Sequence, residues 1–293
     1  MLDTAIPMVG VPPKVESFSK PVSGWTVCRA TITKELLMAG RYMPDLIGRV
    51  VEATIKVSFF LLMATSISVE NVDALSGANL SSHSLSLFYL SSLMLMVFNG
   101  TALSSPIISV NRDLYFGTLE FLYSGPSSRY AYFIGTVLAS AIINQVTFLP
   151  IFLFYVFYSG VSLFNVLLVL GVCALVLVTM VSMGIMIALL TLLLKQMGSI
   201  ASLISQAFEF LAGAYLPISV LPVYIRVFAY VLPYTWGYDL IRYYSLNGNW
   251  KTFYPVWIQW SALIGFAIIF VIVSRYLLQQ TEIRAKKEGL HLL

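Results

Sequence analysis

Few side chains in this sequence could do bond chemistry, and their spacing argues against it. The only histidines, His83 and His291, stand far apart in the chain. No histidine–cysteine–carboxylate cluster has the spacing of a metal site, so no metal is expected. Cys28 precedes every apolar run and Cys173 falls inside one, so a mutual disulfide is not expected either. No G-x-x-x-x-G-K-S/T loop occurs, and the chain therefore lacks that backbone cradle for ATP phosphates. No catalytic residue is expected. Any work done here is movement.

The groups that stand out are ionisable and amide side chains inside apolar runs. Glu52 and Lys56 are four apart, on one helix face, and can pair. An ionisable residue at mid-bilayer costs about 3 kcal/mol and so faces a partner or a wet cavity. Two uses fit the pair: a substrate-path or gating element, or an internal salt bridge near the interface with the lysine snorkelling. The second is the simpler. Glu209 has no local cation in Gln206-Ala207-Phe208-Glu209-Phe210, though Arg226 or Arg242 would reach it if their segment dips into the membrane. A structural hydrogen bond and a translocation-path role both remain open for it. Asn144 and Gln145, near Pro150, suit either a pathway lining or hydrogen bonds across helices. With Asn99, these residues (Glu52, Lys56, Asn144, Gln145 and Glu209) form the candidate translocation path.

Such residues need membrane helices to hold them, and composition supplies them. Hydrophobic residues make up 59% of the chain and charged ones only 10%, where soluble domains carry about 25% charged. Mean hydropathy is +0.87. A span takes roughly 20 mostly apolar residues, and six fit: 48–68, 85–105, 131–158 interrupted by Pro150, a run from 163 to Lys195, 198–216, and 254–278. The expected fold is thus an all-α integral membrane protein with six transmembrane helices. Residues 1–24, rich in proline and without a long apolar core, read as a flexible tail and not a signal peptide. Residues 25–44 form an interfacial amphipathic helix, with Trp25, Cys28, Ile32, Leu36 and Ala39 as its apolar stripe. The six-helix domain covers 45–279, with a tail at 280–293. Prolines 222 and 233 break 217–250 into short helices, expected to re-enter the membrane from outside. Fourteen aromatic residues lie between Tyr215 and Trp260. An interfacial belt accounts for them more simply than stacking on an exported sugar.

Lysine and arginine set the orientation. With a cytoplasmic amino terminus, thirteen of them lie on the inner segments and three (Arg226, Arg242 and Lys251) on the outer, Lys56 being within a span. The positive-inside rule then puts both termini in the cytoplasm, and it explains the net charge of +4 without nucleic acid. The polar patch 109–129 falls on the inner side. It contains Arg112, Asp113 and Glu120, with Leu114, Leu119 and Leu122 interspersed. A short amphipathic helix against a partner and a solvated connecting loop are both compatible with that pattern.

Gly117-Thr118-Leu119-Glu120, followed by Leu122, Pro126, Tyr132 and Gly135, resembles the signature of type-two ABC exporter permeases, the membrane subunits of drug, lipid, lipo-oligosaccharide and O-antigen exporters. Ala212-Gly213, Pro217, Leu221-Pro222, Pro233-Tyr234-Thr235 and Asp239 to Arg242 are similar to the stretch after the fifth span of that family. Lys34-Glu35-Leu36-Leu37, through Arg41 and Pro44, resembles its amino-terminal helix. Asn111 and Tyr115 depart from the charged residues often found before the Gly-Thr-Leu-Glu run. The resemblance implies a cytoplasmic coupling helix in which Arg112, Asp113, Gly117, Thr118, Leu119, Glu120 and Leu122 dock on a separate ATPase subunit. It also implies two ATPase copies carrying ATP and Mg, a second permease, identical or related, and a place in the cell membrane. The apolar spans favour a lipid-like or amphiphilic drug substrate moved outward. A polysaccharide or lipo-oligosaccharide permease of the same family is the alternative, and a secondary transporter or channel without an ATPase is the alternative of another class.

Overall fold

The computed structural model describes residues 23–66, 82–117, 129–194 and 198–288. Among them every regular element is helical: α1 (Gly24–Arg41), α2 (Met43–Ser66), α3 (Ser82–Tyr115), α4 (Arg129–Ser159), α5 (Leu163–Leu194), α6 (Gly198–Leu211), α7 (Val223–Val231), α8 (Pro233–Ser245) and α9 (Val256–Glu288), with a 3₁₀ turn at Ile218–Val220. Three stretches, Tyr130–Ser159, Leu163–Ile187 and Val256–Gln280, are long and apolar enough to cross a bilayer. With 24 and 34 residues, α2 and α3 measure about 36 and 51 Å. Both are long enough to cross, and α2 carries Asp45, Arg49, Glu52 and Lys56 along its length.

α3 is the centre of the bundle. Every residue from Leu85 to Met96 is buried, because α2, α4, α5, α6 and α8 all pack around it. A helix enclosed on all sides shows no amphipathic stripe. Its serines are satisfied internally: Ser91 and Ser92 each donate to the Phe88 carbonyl at 2.9 Å. α5 lies against α3, α8 and α9, and α1 packs along α4.

Several expectations are corrected. The fifth apolar run stops at Leu211, not at 216. At 14 residues, α6 is about 21 Å long and falls short of roughly 30 Å of hydrocarbon. Gly213 turns the chain there with φ +84°, a conformation that side chains avoid. Pro150 does not interrupt α4, which continues through it to Ser159. Proline removes one amide donor, and apolar surroundings favour keeping the rest of the ladder paired. Residues 109–115 are the last turns of α3 itself and not a separate helix.

The protein-facing side of α1 overlaps only part of its apolar stripe: Ile32 and Ala39 are half-buried and Cys28 buried, while Trp25 and Leu36 are exposed. Cys28, Thr31 and Glu35 are its buried residues, while Trp25 is 73% exposed. A helix between protein and lipid turns its polar groups toward protein and its large apolar ones outward. The aromatic stretch divides likewise. Tyr224 and Trp257 are exposed, as in a belt, but Tyr234, Trp236, Tyr238 and Trp250 are buried. α8 is buried along most of its length. This segment is core as much as belt.

Candidate functional site

Gly135 brings α1 onto α4. A Cβ there would sit 2.8 Å from Thr31 Cβ and 2.9 Å from the Cys28 carbonyl oxygen, so only glycine admits this approach. The contact delivers Lys34 and Glu35 to the last turn of α3. Glu35 is buried and receives a hydrogen bond from Arg112. Lys34 Nζ donates to Asp113 Oδ1 at 3.2 Å. The Tyr132 hydroxyl on α4 donates to Asp113 Oδ2. Its proton is thereby committed, so the Ser109 hydroxyl, 2.6 Å away, donates to Tyr132. Partial burial disfavours the Arg112 cation. Its hydrogen bond to Glu35 and the charges of Glu35 and Asp113 outweigh that and lift it above the usual guanidinium value.

Six side chains on three helices thus form one polar clamp. Arg112 and Asp113, expected on a partner-facing surface, engage α1 and α4 of their own chain. Gly117, with φ +67°, follows the clamp directly. Thr118, Leu119, Glu120 and Leu122 lie outside the described residues.

Beside the clamp, α1, α2, α3 and α4 enclose a cavity of about 610 Å³, within the size range of ligand pockets. Glu35 and Arg112 stand on its wall, so clamp and cavity share side chains. Of the candidate path residues it collects Glu52, Lys56 and Asn144. Glu52 and Lys56 do pair, at 2.7 Å, with side chains 63% and 50% exposed. Asn144 bonds across helices, its Oδ1 accepting from Arg49 Nη1 at 3.0 Å. Gln145 instead donates to the Ala141 carbonyl of its own helix at 3.3 Å. The cavity adds residues the sequence reading passed over: Arg49, Thr136, Ser140 and Thr147. Their signal was available. Arg49, Glu52 and Lys56 fall at i, i+3 and i+7, and Thr136, Ser140, Asn144 and Thr147 at i, i+4, i+8 and i+11, each a single helix face.

Glu209 lies elsewhere, half-buried on α6 and hydrogen-bonded to Tyr215. The arginines considered for it are held by other groups. Arg226 donates to the carbonyls of Ser219 and Leu221 at 2.7 and 3.0 Å. Arg242 is fully enclosed. It donates to Ser92 Oγ at 2.8 Å and to the Gly213 and Ala214 carbonyls at 2.6 and 3.2 Å, with its guanidinium 3.7 Å from the Phe88 ring centre. One turn away, Asp239 accepts from Trp250 Nε1 at 2.7 Å, the Phe253 amide at 3.2 Å and Gln259 Nε2 at 2.6 Å. These two residues pin α8 to α3, to the end of α6 and to the start of α9. Asn99 is on α3, with nothing described of its side chain.

The apolar spans, the central enclosed helix and a polar cavity between helices define a multi-pass membrane protein of transport type. The profile of the ABC-2 type transporter family matches residues 27–246, three quarters of the chain, and the protein belongs to that family of membrane transport subunits. No curated protein matches the chain closely. Members of the family normally work with an ABC ATPase. The match begins within α1 and ends just after α8, so it takes in the clamp, the cavity and the Asp239–Arg242 pin together.

Proposed function

We propose that the chain is the permease subunit of an ATP-driven exporter that moves a lipid-like or amphiphilic drug substrate outward. Two copies of a separate ATPase supply ATP and Mg chemistry, and a second permease completes the pathway, which runs between the two and is lined by α2, α3 and α6. The six crossings of this reading are made by α2, α3, α4, α5 and α9 and by α6 together with the turn and 3₁₀ segment that follow it, since α6 alone is too short, with both termini in the cytoplasm and α7 and α8 re-entering the cell membrane from outside. The clamp carries the proposal. It ties the helix leading into 118–128 to α1 and α4, so force applied at Glu120 by an ATPase reaches three helices and the cavity wall as one rigid piece. The amphiphile is favoured over a glycan because the rings of Tyr234, Tyr238 and Trp250 are spent on packing.

The test is copurification with an ATPase subunit, followed by ATP-dependent efflux of lipids and amphiphilic drugs from reconstituted vesicles. Glu120→Lys should leave the protein folded and abolish substrate-stimulated ATP hydrolysis. Transport by the purified chain alone, with no ATPase present, would refute the proposal.

A further inference from the structure

Two polar stripes face each other across the cavity within a single copy of the chain. Arg49, Glu52 and Lys56 rise about 10 Å along α2, and Thr136, Ser140, Asn144 and Thr147 about 16 Å along α4. The Arg49–Asn144 hydrogen bond fixes their register. α4 crosses the bilayer by length and composition, so the stripes run at membrane depth. Polar side chains there pair with one another, as Arg49 does with Asn144 and Glu52 with Lys56, or meet water or a charged occupant.

The charges indicate which occupant. Arg49, Lys56 and Arg112 face the cavity as cations, and Glu35 and Glu52 as anions. Arg112 and Glu35 are committed to each other at the clamp end. On α2 stand Arg49, held by Asn144, and the Glu52–Lys56 step, which is largely exposed, weakly held and readily exchanged for an incoming charge. Directly beside them, α2 presents Val51, Ile55 and Phe59, all exposed, at the four-residue spacing of one face. A polar groove flanked by an apolar stripe matches a molecule with a charged head and apolar chains. Basic pockets between spans on the cytoplasmic side commonly take phosphate head groups.

We propose that this groove binds the phosphate head group of an anionic membrane phospholipid, with its acyl chains lying along the Val51–Ile55–Phe59 face. The site rests on the permease reading only in taking α2 as a span that starts on the cytoplasmic side. It needs no ATPase, so its test is separate from the test of coupling.

The full-length chain is placed in nanodiscs of equimolar phosphatidylglycerol and phosphatidylcholine. Native mass spectrometry then counts each lipid retained after release. The wild type should retain phosphatidylglycerol preferentially. Arg49→Gln and Lys56→Gln should each cut that preference about fivefold, and Glu52→Gln should raise it about as much, the factor expected per charge near anionic lipid. Lys56→Arg should keep it. Glu52→Gln carries the test alone if the cation variants do not fold, since it leaves the Arg49–Asn144 bond in place. An unchanged head-group preference in Glu52→Gln overturns the proposal. So does displacement of the lipid by excess inorganic phosphate, which would make this a site for the free ion. Failure to copurify an ATPase would leave the lipid result standing.

Discussion

Replacing Arg242 by Met keeps an unbranched side chain in the core but strips the pin that joins α8 to α3 and α6. One guanidinium nitrogen, Nη2, serves the three acceptors with its two hydrogens, equivalent to two bonds at about 2 kcal/mol each for a charged donor. The contact with Phe88 adds about 1 kcal/mol. Against this gross of about 5 kcal/mol stands the relieved desolvation of a fully enclosed cation, worth several kcal/mol. The orphaned Gly213 and Ala214 carbonyls restore about 1 kcal/mol or more to the loss. The net destabilisation is about 3 kcal/mol, at the low end of the values for breaking a buried charged network. In a chain of this size that lowers the melting temperature by about 6 to 12 °C. The assay is heating in detergent, with the surviving monodisperse peak followed by fluorescence-detected size exclusion. Arg242→Lys retains the charge, but its ammonium does not reproduce the flat guanidinium over Phe88 that reaches between Ser92 and the turn after α6. It should lose about half as much. A Met variant melting within about 2 °C of the wild type would show that α8 is held by its apolar burial alone, and the reasoning would fail.

Three other substitutions test the rest of the architecture. Gly135→Ala forces a methyl against Thr31 and the Cys28 carbonyl, and prising α1 from α4 should cost about 1 to 3 kcal/mol by the same melting assay. A double-mutant cycle of Glu35→Gln and Arg112→Gln should return a coupling of about 1 to 3 kcal/mol, and additive losses would mean the clamp is not a unit. Asp239→Asn turns one acceptor into a donor facing Trp250, Phe253 or Gln259 and should cost about 1 to 3 kcal/mol, with a change in tryptophan emission that reports on Trp250.

The apolar runs of α4, α5 and α9 were legible because lipid selects composition over a fixed length, and no tertiary contact needs to be known to see it. The Glu52–Lys56 pair was legible for a similar reason, since four-residue spacing on a helix is local. Other features depend on what lies opposite each face. The stripe Trp25, Cys28, Ile32, Leu36 and Ala39 coincides only in part with the face that α1 buries, because periodicity cannot tell lipid from protein as the receiving surface. Arg242 reads from the sequence as a group of the outer re-entrant segment, and Asp239 enters only through the family resemblance. They are buried because Gly213 and Ala214 end α6 beneath them and offer bare carbonyls, an arrangement created by chain segments 28 residues apart. Arg112 and Asp113 stand out in the sequence as polar residues of the inner segment, but their partners on α1 lie 77 and 79 residues away, beyond any local pattern.

Because α1 turns Thr31 and Glu35 inward and Trp25 and Leu37 outward, it behaves as a lid over charge and not as a tether. Peeling it off would strand Arg112 and Asp113 together in a greasy setting, while the lid itself would carry a bare carboxylate into lipid. Neither half tolerates separation. A shortened chain beginning at α2 should therefore lose the inner ends of α3 and α4 as well, and with them the floor of the cavity.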